Sequence, residues 1–161
     1  MAILDNIRNV MNKVIRIVCI LLFAFMVIIG TYQILVRYIF NNPSTVSEEL
    51  LTYSFTWMSL FAAAYVSGKR EHMRMGFLAD KLSEKNLTIL NVVIEIITIA
   101  FALIVMVYGG ISITSLSMTQ KTASLGIPMG YIYIVIPITG IVIAVYGILN
   151  VTDLIRKGEN V

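Results

Sequence analysis

Four apolar stretches, each close to twenty residues long, share this 161-residue chain and constrain its fold more than any other feature. They cover residues 14–36, broken only by Arg16; 50–67; 88–108, broken by Glu95; and 131–151. About twenty helical residues at ~1.5 Å rise cover the ~30 Å hydrocarbon layer of a bilayer. A soluble core in so short a chain has no use for four such runs. The charged fraction is 13%, about half of the ~25% usual in soluble domains. The expectation is an all-α membrane protein: one domain over 1–161, four transmembrane helices, and no separate soluble domain.

Arg8, Lys13 and Arg16 precede the first run as the basic part of a secretory leader would. A leader's apolar region spans ~7 to 15 residues and ends at a small-residue cleavage site. This run is longer and closes on Gln33 and Arg37, so it reads as a retained helix. The basic residues sort by connection. Arg8, Lys13 and Arg16 lie before the first run, Lys69, Arg70, Arg74, Lys81 and Lys85 between the second and third, and Arg156 and Lys157 after the fourth. Ten of the twelve basic residues thus fall on one side, leaving Arg37 and Lys121 for the other. The positive-inside rule then predicts that both termini are cytoplasmic. A net charge of +3 is accounted for in this way and makes no case for nucleic acid.

Connections this short make consecutive helices antiparallel neighbours. In the first outer turn, Asn41-Asn42-Pro43 is a strong breaker, and Thr45-x-x-Glu48 has the form of a capping box opening the second helix. The cytoplasmic loop mixes Met73, Met75, Phe77, Leu78 and Leu82 with basic residues, which fits an amphipathic helix lying at the inner interface; a solvated basic loop is the alternative. Gly109-Gly110 is expected to bend the third helix before it continues outward, and Pro128 to start the fourth. Pro137 should kink that helix or free a carbonyl for a neighbour, while Gly140 and Gly147 permit close helix contact.

Catalytic chemistry is poorly supplied. The lone His72 cannot provide paired axial haem ligands, and Cys19 has no second thiol for a metal site or an internal disulfide. No cofactor is expected, and an enzyme is not the reading. Lys69, Arg70, His72 and Arg74 form a basic group suited to the membrane interface and its lipids. Glu95 is the one acid inside an apolar run, which makes it a functional candidate. Asn91, Glu95 and Thr98 share a helical face that should point at protein. Glu95 could relay a proton or ion, or form a buried pair with Arg16 or with a basic residue of another chain. At the first hairpin, Arg37 ends one helix, Glu48 and Glu49 begin the next, and Gln33 extends the polar face inward. A charge pair across the hairpin, fixing the angle between its helices, is expected there.

The series Gln33, Arg37-Tyr38, Phe40-Asn41-Asn42-Pro43, Ser47-Glu48-Glu49-Leu50 and Trp57 resembles the signature of the DctQ-type small membrane subunit of tripartite ATP-independent periplasmic (TRAP) transporters. The resemblance continues through Glu71-His72-Met73-Arg74 and Leu125-Gly126-Ile127-Pro128-Met129. The chain departs from that pattern at Val46, Gly76 and Gly130, without loss of a helix or a charge. The resemblance implies a non-catalytic subunit in the bacterial inner membrane, bound to a large multi-spanning (M-type) subunit that moves substrate by a sodium-driven elevator. A periplasmic (P-type) binding protein would deliver an organic anion, such as sialic acid, another sugar acid or a C4-dicarboxylate. The small subunit would widen and anchor the static scaffold, with Gln33, Arg37, Tyr38, Glu48, Glu49 and Trp57 at the hairpin and docking surface. A self-sufficient four-helix transporter or channel working as a homo-oligomer is the rival; such proteins carry an essential acid in the first span, which is lacking here. A membrane anchor for a redox enzyme is a second rival, and the single histidine argues against it.

Overall fold

In a computed structural model, residues 2–69 and 84–158 are described, with side chains over 4–69 and 86–156. All named elements are helical. Helix α1 covers Ala2–Tyr38 and α2 covers Thr45–Lys69. A third rod begins as α3, Glu84–Phe101, widens to a π-helix over Ala102–Gly109, continues as α4, Gly110–Leu116, and ends in a 3-10 turn at Ser117–Thr119. After a loop come the short α5, Gly130–Tyr133, and α6, Val135–Gly158. The one bridge between extended segments pairs Lys121 with Pro128 inside that loop.

Among the described residues, three helices are long and apolar enough to cross a membrane: Leu4–Tyr38, Asn86–Thr119 and Gly130–Arg156. The stretch 50–67, expected as a fourth span, lies in α2, which at 25 residues is ~37 Å long. It is less apolar than the other three because it carries Glu48, Glu49 and a series of Ser, Thr and Tyr residues. Its buried residues are small: Ser47, Ser54, Ala64, Ser67 and Gly68. Small side chains let helix backbones approach closely, which is how helices associate where apolarity alone cannot select a face.

The helices stand side by side in the order α1, α2, α6, α3, with contacts between each neighbouring pair. The α6 span is 50% buried, against 6% and 11% for the spans of α1 and of the third rod, so α2 and α6 form the centre and the other two flank it. The core joins Ala64 of α2, Ala102 and Met106 of the π segment, and Ile143 and Ala144 of α6. The interfacial helix expected over the cytoplasmic loop lies outside the described residues.

The expectations about the glycines hold in detail. The third rod does run on past Gly109-Gly110. Gly110 packs on Pro137, Gly140 on Met106 and Ala102, and Gly147 on Ile99. The carbonyl that Pro137 leaves without its helical donor is that of Tyr133; one residue earlier, within α5, the Trp57 indole N–H donates to the Ile132 carbonyl at 3.0 Å. The capping box is displaced by one residue. Ser44 is the cap, its Oγ accepting the Ser47 N–H at 3.4 Å while Ser47 Oγ donates to the Ser44 carbonyl at 3.0 Å. The serine fits because its hydroxyl reaches back and Ser47 is buried, whereas Glu48 stays exposed in the first turn, where the positive end of the helix dipole favours it.

Gly140 gives the sharpest test of this packing. A Cβ there would lie 2.7 Å from Met106 Cβ and 3.1 Å from the Ala102 carbonyl oxygen, which is backbone and cannot rotate away. Gly140→Ala is expected to cost ~1 to 3 kcal/mol by overpacking, read as a lower midpoint of thermal unfolding in detergent. An unchanged midpoint would contradict the contact.

Candidate functional site

Most of the side-chain hydrogen bonds that join separate segments lie toward the two ends of the bundle. At the hairpin end, the Glu49 carboxylate receives three consecutive backbone N–H groups of the loop before α5: Ala123 at 2.8 Å and Ser124 at 3.1 Å on Oε1, and Leu125 at 2.9 Å on Oε2. Gly126 turns the loop with φ +67°, a conformation that side chains other than glycine adopt at a cost. The loop is laced to itself by Thr122 N–H to the Ile127 carbonyl at 2.9 Å, Ile127 N–H to Thr122 Oγ1 at 3.2 Å, and Met129 N–H to the Gln120 carbonyl at 2.8 Å. Below it, the Tyr53 hydroxyl donates toward Met129 Sδ at 3.6 Å. Desolvation raises the Glu49 carboxyl, but the N–H groups of Leu125, Ser124 and Ala123, with the Tyr53 hydroxyl, outweigh it and hold the group below the usual carboxylate range.

The expected pair across the hairpin is therefore corrected: Arg37 bonds to neither Glu48 nor Glu49 among the described residues. Its guanidinium lies 5.9 Å from the ring centroid of its neighbour Tyr38. Register explains the outcome. Gly30 faces Leu51 and Arg16 reaches Tyr65, so fourteen steps along α1 match fourteen along α2. In that register Arg37 stands level with Ser44, about one turn beyond Glu48, while Gln33 stands level with Glu48 and Glu49 is already held by the loop.

At the other end, Asn150 is fully buried and its amide joins all four long helices. Its Oδ1 accepts from Arg8 of α1 at 3.2 Å, and its Nδ2 donates to the Ser67 carbonyl of α2 at 3.2 Å and to Glu95 of α3 at 3.0 Å. Arg8 also bridges to Asp153 at 2.6 Å, with both side chains about 30% exposed. One turn away along α1, Asn12 accepts the hydroxyl of the buried Tyr146 at 2.7 Å. Glu95 thus meets Asn150, and the expected partner Arg16 instead donates to the Tyr65 hydroxyl at 3.2 Å. Of the face Asn91, Glu95 and Thr98, Thr98 bonds back to the Ile94 carbonyl of its own helix, and Asn91 is half-buried. Lys69 lies 4.8 Å from the Tyr65 ring centroid; Arg70, His72 and Arg74 lie outside the described residues. Among the described residues no group of His, Cys, Asp and Glu is placed to hold a metal ion.

Reading the sequence missed Asn150, Arg8 with Asp153, and the loop as the partner of Glu49. The signal for Asn150 was present, since it is the one amide in the run 131–151. The loop offered none, because its donors are backbone N–H groups.

A helical bundle with inter-helix polar bonds toward its ends and a close-packed middle defines an integral membrane component. The family described as tripartite ATP-independent periplasmic transporters, DctQ component, matches residues 26–157, and this chain belongs to it. It is similar to a "Putative TRAP transporter small permease protein" of Haemophilus influenzae, 23% identical over 157 residues that cover 96% of this chain and 97% of the relative. It is also similar to the "Sialic acid TRAP transporter small permease protein SiaQ" of Vibrio cholerae, 29% identical over 143 residues, or 86% and 79% of the two chains.

Two outcomes test the ends separately. Because the Glu49 carboxyl is lowered, its contribution is complete above the ordinary carboxylate value and is lost as pH falls through the lowered one. Protection of the amides of Ala123 to Leu125, taken relative to their intrinsic exchange rate at each pH, should therefore stay high at neutral pH, fall only in acid below the ordinary carboxylate range, and be lower in Glu49→Gln at neutral pH. Equal exchange in parent and variant would dismiss the contact. At the other end, Glu95→Gln keeps an acceptor for Asn150 and should change stability by under ~1 kcal/mol. Asn150→Leu withdraws partners from three helices and should cost ~1 to 3 kcal/mol for each buried group left unsatisfied. The reverse order in thermal unfolding would refute the assignment.

Proposed function

We propose that this chain is the small permease component of a sodium-coupled TRAP transporter for an organic anion, acting as scaffold and anchor for the large transport subunit. Family membership supports the class. The observation that carries the role is the distribution of bonds: the polar groups described above tie helix to helix at the ends, while Ala64, Ala102, Met106, Ile143 and Ala144 pack the middle. A transport core needs irregular helices aimed at a polar midplane site. The π segment here is irregular, but it packs with apolar and small residues.

The substrate class is a carboxylated solute, with sialic acid or another sugar acid favoured by the likeness to SiaQ and a C4-dicarboxylate as the other candidate. The partners are the M-type membrane subunit and a P-type periplasmic binding protein, and the site is the bacterial inner membrane. In this reading α2 is the fourth span, carried across by its length and its shelter between α1 and α6. Both termini and the loop from Lys69 to Lys85 face the cytoplasm, the side on which ten of the twelve basic residues lie. Glu95 is a structural acceptor for Asn150 in place of an ion carrier. Arg37 and Tyr38, exposed beside the hairpin, are free for the large subunit.

The chain should copurify with a co-expressed large subunit, and sodium-driven uptake in proteoliposomes should require both. In a Cys19→Ser background, Asn42→Cys and Ala123→Cys should react with an impermeant thiol reagent from the periplasm, and Ser83→Cys should not. An active homo-oligomer of this chain alone, or the opposite labelling, would overturn the proposal.

A further inference from the structure

The loop before α5 closes on itself without help from Glu49. Met129 N–H donates to the Gln120 carbonyl at 2.8 Å and Thr122 N–H to the Ile127 carbonyl at 2.9 Å, on either side of the bridge between Lys121 and Pro128. The buried Thr122 adds two more ties, its Oγ1 accepting Ile127 N–H at 3.2 Å and its carbonyl accepting Gly126 N–H at 3.3 Å. Ala123, Ser124 and Leu125, enclosed by these bonds, give their own N–H groups to none of them. All three point at one carboxylate, two at Oε1 and one at Oε2 of Glu49.

Successive N–H groups turned to one side form an anion-binding concavity. This one addresses both oxygens of a planar group, and its donors are backbone, with no cationic side chain among them. The fit is therefore to the fork of a carboxylate and not to negative charge alone. Ala123 is exposed, and Ser124, Leu125 and Glu49 are half-buried, so solutes reach the concavity from outside.

We infer that residues 122–127 form a receptor for a single carboxylate group, which this chain keeps filled with its own Glu49. The ligand class is a small aliphatic monocarboxylate of the size of acetate. The loop holds the receptor in shape, and the glutamate is its tethered occupant. While that side chain is in place the receptor is closed to solutes; shortening it opens a site that a free carboxylate fills.

The test is amide hydrogen exchange on the full-length chain in detergent at neutral pH, where acetate is ionised, with protection taken relative to the intrinsic rate. In Glu49→Ala the amides of Ala123 to Leu125 should lose protection several-fold, while those of Thr122, Ile127 and Met129 keep it. Acetate should restore it, with half of the effect on the order of 10 to 100 mM, as suits a four-atom ligand without a tether. Acetamide, of the same shape without the charge, and chloride at equal ionic strength should restore far less. Glu49→Gln, whose amide still fills the concavity, should respond several-fold less than Glu49→Ala. The parent should not respond, because an oriented intramolecular group acts at an effective concentration far above that of a free solute. Protection lost at Thr122 and Met129 as well would mean that Glu49 shapes the loop, and would overturn the receptor. No recovery with acetate, equal recovery with chloride or acetamide, or an equal response in Glu49→Gln would overturn it too. If Glu49→Ala aggregates, it is purified again with acetate present throughout: a monodisperse chain only with acetate supports the receptor, and aggregation in both cases counts against it.

Discussion

The side-chain amide of Asn150 touches all four long helices, and the arrangement of the bundle depends on it. Helices that are apolar on nearly every face can slide and rotate against one another at little cost. A buried amide removes that freedom, because its oxygen requires a donor and its nitrogen requires acceptors. Arg8, the Ser67 carbonyl and Glu95 meet those requirements in one register. The glycine contacts of α6 along the third rod, at Gly140 and Gly147, fit that same register.

The opposite end is fixed by a bond of another kind. Glu49 belongs to α2, and the N–H groups it holds belong to the loop that joins the third rod to α5. With Trp57 holding the Ile132 carbonyl, α2 is tied at two heights, to that loop and to α5. Glu49 thus links segments far apart in the chain, and Arg37 is left at the surface. Stiffness at both ends with close packing between them is what a static support requires.

Much of this was legible in the sequence. The apolar runs gave the helices, Gly109-Gly110 and Pro137 gave the continuations and the break, and the order of short motifs gave the family. Individual bonds were less legible, for physical reasons. A carboxylate beside an arginine one hairpin away suggests an ion pair, but antiparallel register set them a turn apart. Backbone donors leave no trace in side-chain identity, so the cradle for Glu49 was invisible. Asn150 was readable as a polar residue in an apolar run, yet its partners lie in three other helices. The π widening over Ala102–Gly109 has no compositional mark at all; it accompanies the close approach of Gly110 to Pro137 and of Gly140 to Met106.

The central claim is that these helices keep one arrangement while substrate moves. A disulfide across α3 and α6, at the contact of Ile99 with Gly147, examines it directly. Ile99→Cys with Gly147→Cys, in a Cys19→Ser background, would be assembled with the large subunit in proteoliposomes, and sodium-driven uptake compared before and after oxidation. A static scaffold gives the same uptake in both states. Uptake lost on oxidation and restored by reductant would mean that these helices move in the transport cycle, and would contradict the account.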